Sequence, residues 1–218
     1  AIQAVGKIPV DVREVSVDFL SISGHKFHAP KGIGALYLRE GVRFEPLIRG
    51  GGQESGRRSG TENVPYIVGL GKAAALMREA LEKDAHAGVT ANRDHLERRL
   101  LEEVEGVTLN GSREHRVPTC AHVSFDNCEG AGLLILLDES GVQVSTGSAC
   151  MTGKQEPSHV QKAMGISTEQ AKSSLRISFS SFTSRDDTDE AVERIKKAVK
   201  KLRQVQGGGG VGPVMVYS

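Results

Sequence analysis

Tryptophan is absent from this sequence, and aromatic residues together make up only 4% of its 218 positions. No apolar run approaches the roughly 20 residues that a membrane-spanning helix requires, since the short run at 133–137 is closed by Asp138 and Glu139. Lysine and arginine number 28 and acidic residues 27, so no excess of positive charge favours nucleic acid or an anionic membrane surface. The composition therefore indicates a globular protein with no membrane span and no nucleic-acid partner.

Cysteine is also scarce, with Cys120, Cys128 and Cys150 as the three thiols. An odd number cannot pair completely within one chain, and the N-terminal residues lack the basic and apolar segments of a secretory signal peptide. We therefore expect free thiols and a reducing, cytoplasmic compartment. Cys120, His122 and Cys128 do not have the spacing of a zinc site, so no metal site is predicted.

Hydrophobic periodicity predicts an α/β protein whose later part is α+β. Strands are expected at 17–23, 34–39, 107–109, 120–125 and 175–179, the first of them buried and the last half-buried. Helices are expected at about 64–81, 84–104, 131–140 and 186–202. Acidic residues begin the last helix and lysines end it, which matches the helix dipole. We expect domains at 1–83 and 84–205, followed by a flexible glycine-rich tail at 206–218.

Two segments of the first domain carry candidate chemistry. Lys26 directly follows an apolar strand, beside Ser23 and His25. A lysine desolvated at a strand end can bind an aldehyde covalently, and the serine and histidine can hold a phosphate. The loop 49–61, rich in glycine and arginine, can wrap an anion through its backbone N–H groups. A surface lysine and a mobile surface loop are the alternative interpretations.

The second domain contributes a candidate nucleophile and a candidate anion ligand. Cys150 lies among small residues in 145–153, a setting that suits an accessible thiol better than a core cysteine. Arg176 shares the polar face of a predicted strand with Ser178, where its guanidinium can clamp a carboxylate. An ordinary exposed strand arginine is the alternative for Arg176.

Four segments, taken in order, resemble the cysteine desulfurase family of pyridoxal-phosphate (PLP) enzymes. They are Ser-Gly-His-Lys at 23–26 with 30–37, the glycine-rich stretch 50–63, Ser-Thr-Gly-Ser-Ala-Cys at 145–150 with 156–159, and Ser-Ser-Leu-Arg-Ile-Ser at 173–178. Any one of these motifs is weak, whereas four in the family's order are specific. The resemblance implies the PLP-dependent transferase fold type I, represented by the C-terminal part of its large domain and an α+β small domain.

The resemblance also implies a role for each matching residue. Lys26 is expected to carry the cofactor and move the substrate Cα proton, and Cys150 to attack the substrate sulfur, giving an enzyme persulfide and alanine. Arg176 is expected to hold the carboxylate of L-cysteine. The remaining cofactor ligands expected are Ser23 and His25 at the phosphate, Gln3 at the phenolic oxygen, and Thr61 at the phosphate of the partner's cofactor in a homodimer. The sulfur acceptor is expected to be an iron–sulfur scaffold or another acceptor protein.

Two departures from the family pattern qualify this interpretation. The family's aspartate partner of the pyridine nitrogen would precede Ala1, and the segment before it is missing, so we expect the C-terminal portion of a desulfurase with weak or no activity by itself. Ser180 and Ser181 stand where the family has Gly-Arg. Two alternatives stay open: a selenocysteine lyase, and a catalytically incomplete fragment that binds a partner or dimerises.

Overall fold

The structure is a computed structural model that describes residues 1–146 and 158–207. Packing divides the chain into two compact units, Ala1–His86 and the residues from Ala87 onward. This division describes packing alone, so the assignment of 1–83 and 84–205 to a large and a small domain stays a prediction. Residues 208–218 of the predicted tail lie outside the described part of the chain. In that described part, no helix combines the length and apolarity that a membrane crossing requires.

The first unit is built from a β-hairpin and a long helix. Its elements are β1 (Phe19–Ser23), a 3₁₀ turn (Gly24–Phe27), β2 (Gly34–Leu38), a second 3₁₀ turn (Gln53–Gly56) and α1 (Val64–Glu82). The two strands are antiparallel, with Phe19 opposite Leu38 and Ser23 opposite Gly34. The last residue of β1 and the first residue of β2 therefore lie side by side at one end of the hairpin.

The prediction that the first strand is buried is wrong. Phe19 is 47% exposed and Leu36, on the paired strand, is 48% exposed. A two-stranded hairpin has two faces, and the small core of this unit covers one of them. That core consists of Phe27, Ala29 and Ala73, with Val5, Ile22, Ile33, Leu70 and Met77 packed around it.

Local signals set both ends of α1. The Asn63 side chain accepts a hydrogen bond from the Tyr66 N–H at 3.4 Å, and Pro65 occupies the first turn, where a missing N–H costs nothing. After the helix, Asp84 adopts φ of +49°, in the left-handed region. A helix cannot pass through that conformation, so the helix predicted from 84 begins three residues later, at Ala87.

The second unit is a three-stranded antiparallel sheet with helices on both faces. Its described elements are α2 (Ala87–Glu103), β3 (Val107–Leu109), β4 (Cys120–Phe125), α3 (Gly130–Glu139), α4 (His159–Ala163), α5 (Thr168–Lys172), β5 (Ser174–Ser178) and α6 (Arg185–Gly207). The strand order is β3-β4-β5. Val123 faces Leu175 and His122 faces Arg176 across the β4–β5 ladder.

Helices α2, α3 and α6 supply the apolar layer on one face of this sheet. Side chains with no exposed surface come from every part of the layer: Leu96 and Leu100, Leu133 and Leu137, Val192 and Ile195, and Val123, Phe125 and Leu175. The predicted apolar face of the last helix is thereby confirmed. Its predicted end is wrong, because α6 continues to Gly207 and leaves no basic residue in the last turn.

Two short helices, α4 and α5, were not expected from the sequence. They cover part of the opposite face of the sheet, so Ser174, at the start of β5, is fully buried. The predicted half-buried strand is confirmed over 175–179, where Leu175, Ile177 and Phe179 are buried while Arg176 and Ser178 keep exposed surface. Both helices begin with a serine cap, Ser158 and Ser167, whose side chains accept backbone N–H groups. A five-residue helix is too short to have a periodic apolar stripe, so its start is stabilised and marked in the sequence by the capping serine.

Substitution of Leu133 tests the core assignment. Leu133→Ala removes a side chain with no exposed surface and should lower the free energy of unfolding by about 2–5 kcal/mol. Ile135→Ala, in the same helix but 44% exposed, should cost less than about 1 kcal/mol. Urea unfolding followed by circular dichroism measures both, and equal losses would contradict the assignment.

Candidate cofactor and active site

The loop end of the hairpin, where β1 leads into the connection to β2, brings together Ser23, His25 and Lys26. The Ser23 Oγ lies 3.0 Å from His25 Nδ1, and Lys26 is exposed in the 3₁₀ turn that follows β1. The Gly24 N–H donates to the Ile33 carbonyl at 2.9 Å, and the Ala29 N–H donates to the Gly24 carbonyl at 3.0 Å. These backbone bonds hold a hydroxyl, an imidazole and an ammonium group within four consecutive residues.

Two glycines allow the strands to close in this way. A Cβ atom on Gly34 would lie 2.5 Å from the Ile22 carbonyl oxygen, and one on Gly24 would lie 2.9 Å from the Ile33 carbonyl oxygen. Both separations are shorter than a carbon–oxygen contact permits, and both opposing atoms are backbone. The position of Lys26 therefore depends on the lack of side chains at these two glycines.

Gln3 and Thr61 lie elsewhere in the first unit. The Gln3 Oε1 accepts a hydrogen bond from Lys7 Nζ at 2.8 Å. Thr61 is exposed and follows Gly60, whose N–H donates to the Gln53 Oε1 at 3.1 Å. Among the described residues, neither Gln3 nor Thr61 hydrogen-bonds to the Ser23–His25 pair, so their roles stay predictions.

In the second unit, Arg176 occupies the centre of β5. Its backbone N–H and C=O exchange hydrogen bonds with Ser145, at 2.6 and 3.1 Å, and its cross-strand partner on β4 is His122. The Arg176 side chain is half-buried. No carboxylate of the described residues lies within ion-pair distance of its guanidinium, a setting that suits a ligand carboxylate.

A hydrogen-bonded polar layer surrounds this position. Gln161, 6% exposed, contacts His122 Nε2 through its Nε2 at 3.2 Å and donates to Ser174 Oγ at 2.9 Å. Burial, followed by the positive charge of Arg176, lowers the pKa of His122 below its ordinary value of 6.5. The sequence analysis assigned no role to His122 or Gln161. The Ser158-x-x-Gln161 capping box was the signal that could have located the second of them.

The three thiols differ in what the structure describes of them. Cys150, the predicted nucleophile, lies outside the described residues. Cys128 is buried, and this burial raises the pKa of its thiol above the ordinary value, which disfavours the reactive thiolate. Cys120 is partly exposed in β4, and its thiol lies 3.7 Å from the Ala121 carbonyl oxygen.

The donors at the hairpin end fit a phosphate-bearing aldehyde. Ser23 and His25 supply neutral or cationic hydrogen-bond donors for a phosphate, and the exposed Lys26 supplies an amine for an aldehyde carbon. Exposed Arg57 and Arg58 add positive charge in the same unit. Over residues 1–146 and 158–207, no group of three or more histidine, cysteine or acidic side chains is placed to hold a metal ion.

Comparison with known proteins identifies the family. The aminotransferase class-V family model matches residues 1–191, so the chain belongs to that family. It is similar to a cysteine desulfurase from Gluconacetobacter diazotrophicus, with 48% identity over 205 residues, covering 94% of this chain and 51% of the relative. It is similar also to the cysteine desulfurase NifS from Azotobacter vinelandii, with 44% identity over 215 residues, covering 98% of this chain and 53% of the relative.

Solved structures agree with this placement. A NifS-like protein superposes with a TM-score of 0.82 at 37% identity, over 93% of this chain and 52% of that protein. A NifS-like protein from Rickettsia africae gives a TM-score of 0.81 at 31% identity, over 91% and 52%. The fold is therefore the one predicted, that of the C-terminal part of a fold type I enzyme. The chain spans about half the length of the curated relatives it matches.

The lowered pKa of His122 makes stability depend on pH. Below about pH 6.5 the unfolded chain binds a proton at this side chain that the folded protein resists binding. The contribution of His122 to the free energy of unfolding is therefore complete above that pH. It declines as the pH falls toward the lower pKa that His122 has in the folded protein. His122→Asn should flatten this decline in urea midpoints measured from pH 7.5 to 5.

The matched control is His115→Asn, which removes an exposed histidine of the same unit. If the two variants show the same dependence of the urea midpoint on pH, the decline does not arise from His122.

Proposed function

We propose that this chain is the C-terminal part of a PLP-dependent cysteine desulfurase. Such an enzyme removes sulfur from L-cysteine, releases L-alanine and donates the sulfur to iron–sulfur cluster assembly. The observation that carries the proposal is the donor group Ser23, His25 and Lys26 at the hairpin end. It occurs in a chain 48% identical, over 94% of its length, to a cysteine desulfurase.

In this proposal the first unit holds the cofactor. Bound PLP withdraws electrons from the substrate Cα and so weakens its C–H bond. Lys26 would hold the cofactor through Nζ, and its amine would move the proton at the substrate Cα. Ser23 Oγ and His25 hold the phosphate, and Gln3 donates to the phenolic oxygen. Thr61 reaches the phosphate of the partner's cofactor in a homodimer.

The second unit provides the substrate clamp and the sulfur carrier. The Arg176 guanidinium binds the carboxylate of L-cysteine and orients its sulfur. The Cys150 thiolate attacks that sulfur, so an S–S bond forms while the C–S bond breaks and its electron pair stays with the carbon fragment. Protonation of that fragment yields alanine, and Cys150 keeps the persulfide. Cys120 and Cys128 are not joined by a disulfide, which agrees with a reducing, cytoplasmic compartment.

A chimera tests the whole proposal. The first half of the Gluconacetobacter diazotrophicus cysteine desulfurase, placed ahead of Ala1, supplies the portion of the relatives that this chain does not cover. With added PLP it should release alanine and, with a reductant, sulfide from L-cysteine. A folded chimera that shows the visible absorbance of bound PLP but forms no alanine would refute the proposed activity.

Lys26 should be essential in that chimera. Lys26→Ala removes the amine that carries the cofactor, so the visible absorbance and alanine formation should both fall to background. Lys31→Ala, at another exposed lysine of the same hairpin loop, should leave both within about twofold, since surface substitutions cost little. Absorbance spectroscopy and an alanine assay give the two readings, and retention of both by Lys26→Ala would contradict the assignment.

Cys150 should be separable from cofactor binding. Cys150→Ser removes the sulfur nucleophile, so persulfide formation should be lost while the PLP absorbance persists. In the unmodified chain, limited iodoacetamide treatment followed by mass spectrometry should label Cys150 before Cys128, whose burial raises the pKa of its thiol. Cys120→Ser is the matched variant and should still form persulfide. Earlier labelling of Cys128, or persulfide on Cys150→Ser, would contradict this role.

A further inference from the structure

His122 lies beside the residue that we assign to the substrate carboxylate. In the β4–β5 ladder His122 and Arg176 are direct partners, and such pairs project to the same face with Cβ atoms about 5 Å apart. On its other side, Arg176 exchanges backbone hydrogen bonds with Ser145. The Arg176 guanidinium therefore has the His122 imidazole as its neighbour on β4, the strand that pairs with β5 in this register.

The hydrogen bonds of Gln161 determine the protonation of this imidazole. The Ser158 backbone N–H, which can only donate, gives its proton to Gln161 Oε1 at 3.1 Å. The Gln161 amide nitrogen is therefore the donor toward Ser174 Oγ and toward His122 Nε2, at 2.9 and 3.2 Å. The Ser174 hydroxyl accepts the hydrogen bond from Gln161, because its own proton is donated to the Ala171 carbonyl at 2.7 Å. His122 Nε2 must then be an unprotonated acceptor, so the ring is neutral and carries its proton on Nδ1.

The other groups near His122 leave this state undisturbed. Gln161, Ser174 and Ser124 are neutral and share its side of the sheet. The charged or titratable groups of the described elements packed around it are Arg176 of β5, Cys120 of β4, His159 and Lys162 of α4, and Glu169 and Lys172 of α5. Those of α4 and α5 are exposed, and Arg176 is the charge that acts on His122.

We propose that His122, held neutral by Gln161, is a positioning residue that orients Arg176 for the substrate carboxylate. The proposal deepens the proposed function, since it rests on Arg176 as the carboxylate ligand. A neutral ring packs beside the guanidinium without repelling it. A protonated ring would point its Nε2–H at the N–H of Gln161, and two donors cannot form a hydrogen bond. It would also place a second positive charge beside Arg176, so the ring would move away from this position.

The first arm of the test uses this chain alone. Long-range ¹H–¹⁵N NMR at pH 7.5 should show the Nδ1–H tautomer of His122, and the Arg176 Nε–H signal should shift with the same midpoint as His122 as the pH is lowered. His115→Asn should change neither signal. The Nε2–H tautomer, or an Arg176 signal that does not follow His122, would overturn the proposal without bearing on desulfurase activity.

The second arm measures KM for L-cysteine in the chimera. KM should rise about fivefold as His122 becomes protonated, which corresponds to the loss of about one hydrogen bond. His122→Asn, which cannot be protonated, should abolish this rise, with kcat of both proteins following the same pH profile. A KM that does not rise through the His122 midpoint, or a rise that persists in His122→Asn, would overturn the proposal.

Gln161→Glu separates positioning from simple loss of structure. The new carboxylate still accepts from the Ser158 N–H, but it also accepts from His122 and so favours the protonated ring. The NMR midpoint of His122 and the midpoint of the KM rise should move to higher pH together. If the NMR midpoint moves while the KM midpoint stays, His122 supports the fold only. A folded chimera that binds PLP but forms no alanine would refute the proposed function, and the first arm would still decide the state of His122.

Discussion

The antiparallel register between β4 and β5 is the constraint on which the second unit depends. Val123 opposite Leu175 puts apolar side chains under α2, α3 and α6, and it leaves His122 opposite Arg176 on the other face. A slip of one residue would exchange these faces and bury the guanidinium in an apolar layer. An unpaired charge there costs several kcal/mol, so the packing of the core also fixes where the candidate carboxylate ligand lies.

A comparable constraint acts in the first unit through backbone contact. The hairpin closes because Gly34 and Gly24 present no Cβ atom to the carbonyl oxygens of Ile22 and Ile33. The strand pairing then leaves Lys26 in a 3₁₀ turn outside the ladder. The Lys26 amine is thus positioned by main-chain geometry, and the Lys26 side chain is exposed.

Features with a long period or a specific motif were predictable from the sequence. Alternation identified β5, and the apolar stripe of Val192, Ile195 and Val199 identified α6. The motif order identified the family. The burial of β1 was not predictable, because an apolar run does not reveal whether a second layer covers it.

Short helices, and contacts between residues far apart in the sequence, could not be predicted from the sequence, for different reasons. Five residues are too few for helical periodicity to show, so α4 and α5 were missed. His122 and Gln161 are 39 positions apart, and nothing in the sequence relates them until the sheet and α4 are placed. The Ser158 cap of α4 holds the Gln161 Oε1 at 3.1 Å from the Ser158 N–H, and the Gln161 amide nitrogen lies 3.2 Å from His122.

The polar layer under α4 and α5 explains why one histidine matters there. Asn110 donates to Ser124 Oγ at 2.7 Å and accepts from Gln170 at 3.0 Å, while Gln161 donates to Ser174 Oγ at 2.9 Å. Amides and hydroxyls keep their protons over the physiological pH range. Of the described side chains in these hydrogen bonds, His122 is the one that can gain a proton as the pH falls, and burial lowers its pKa below 6.5. A change in pH therefore acts on this layer, and on the neighbouring Arg176, through His122.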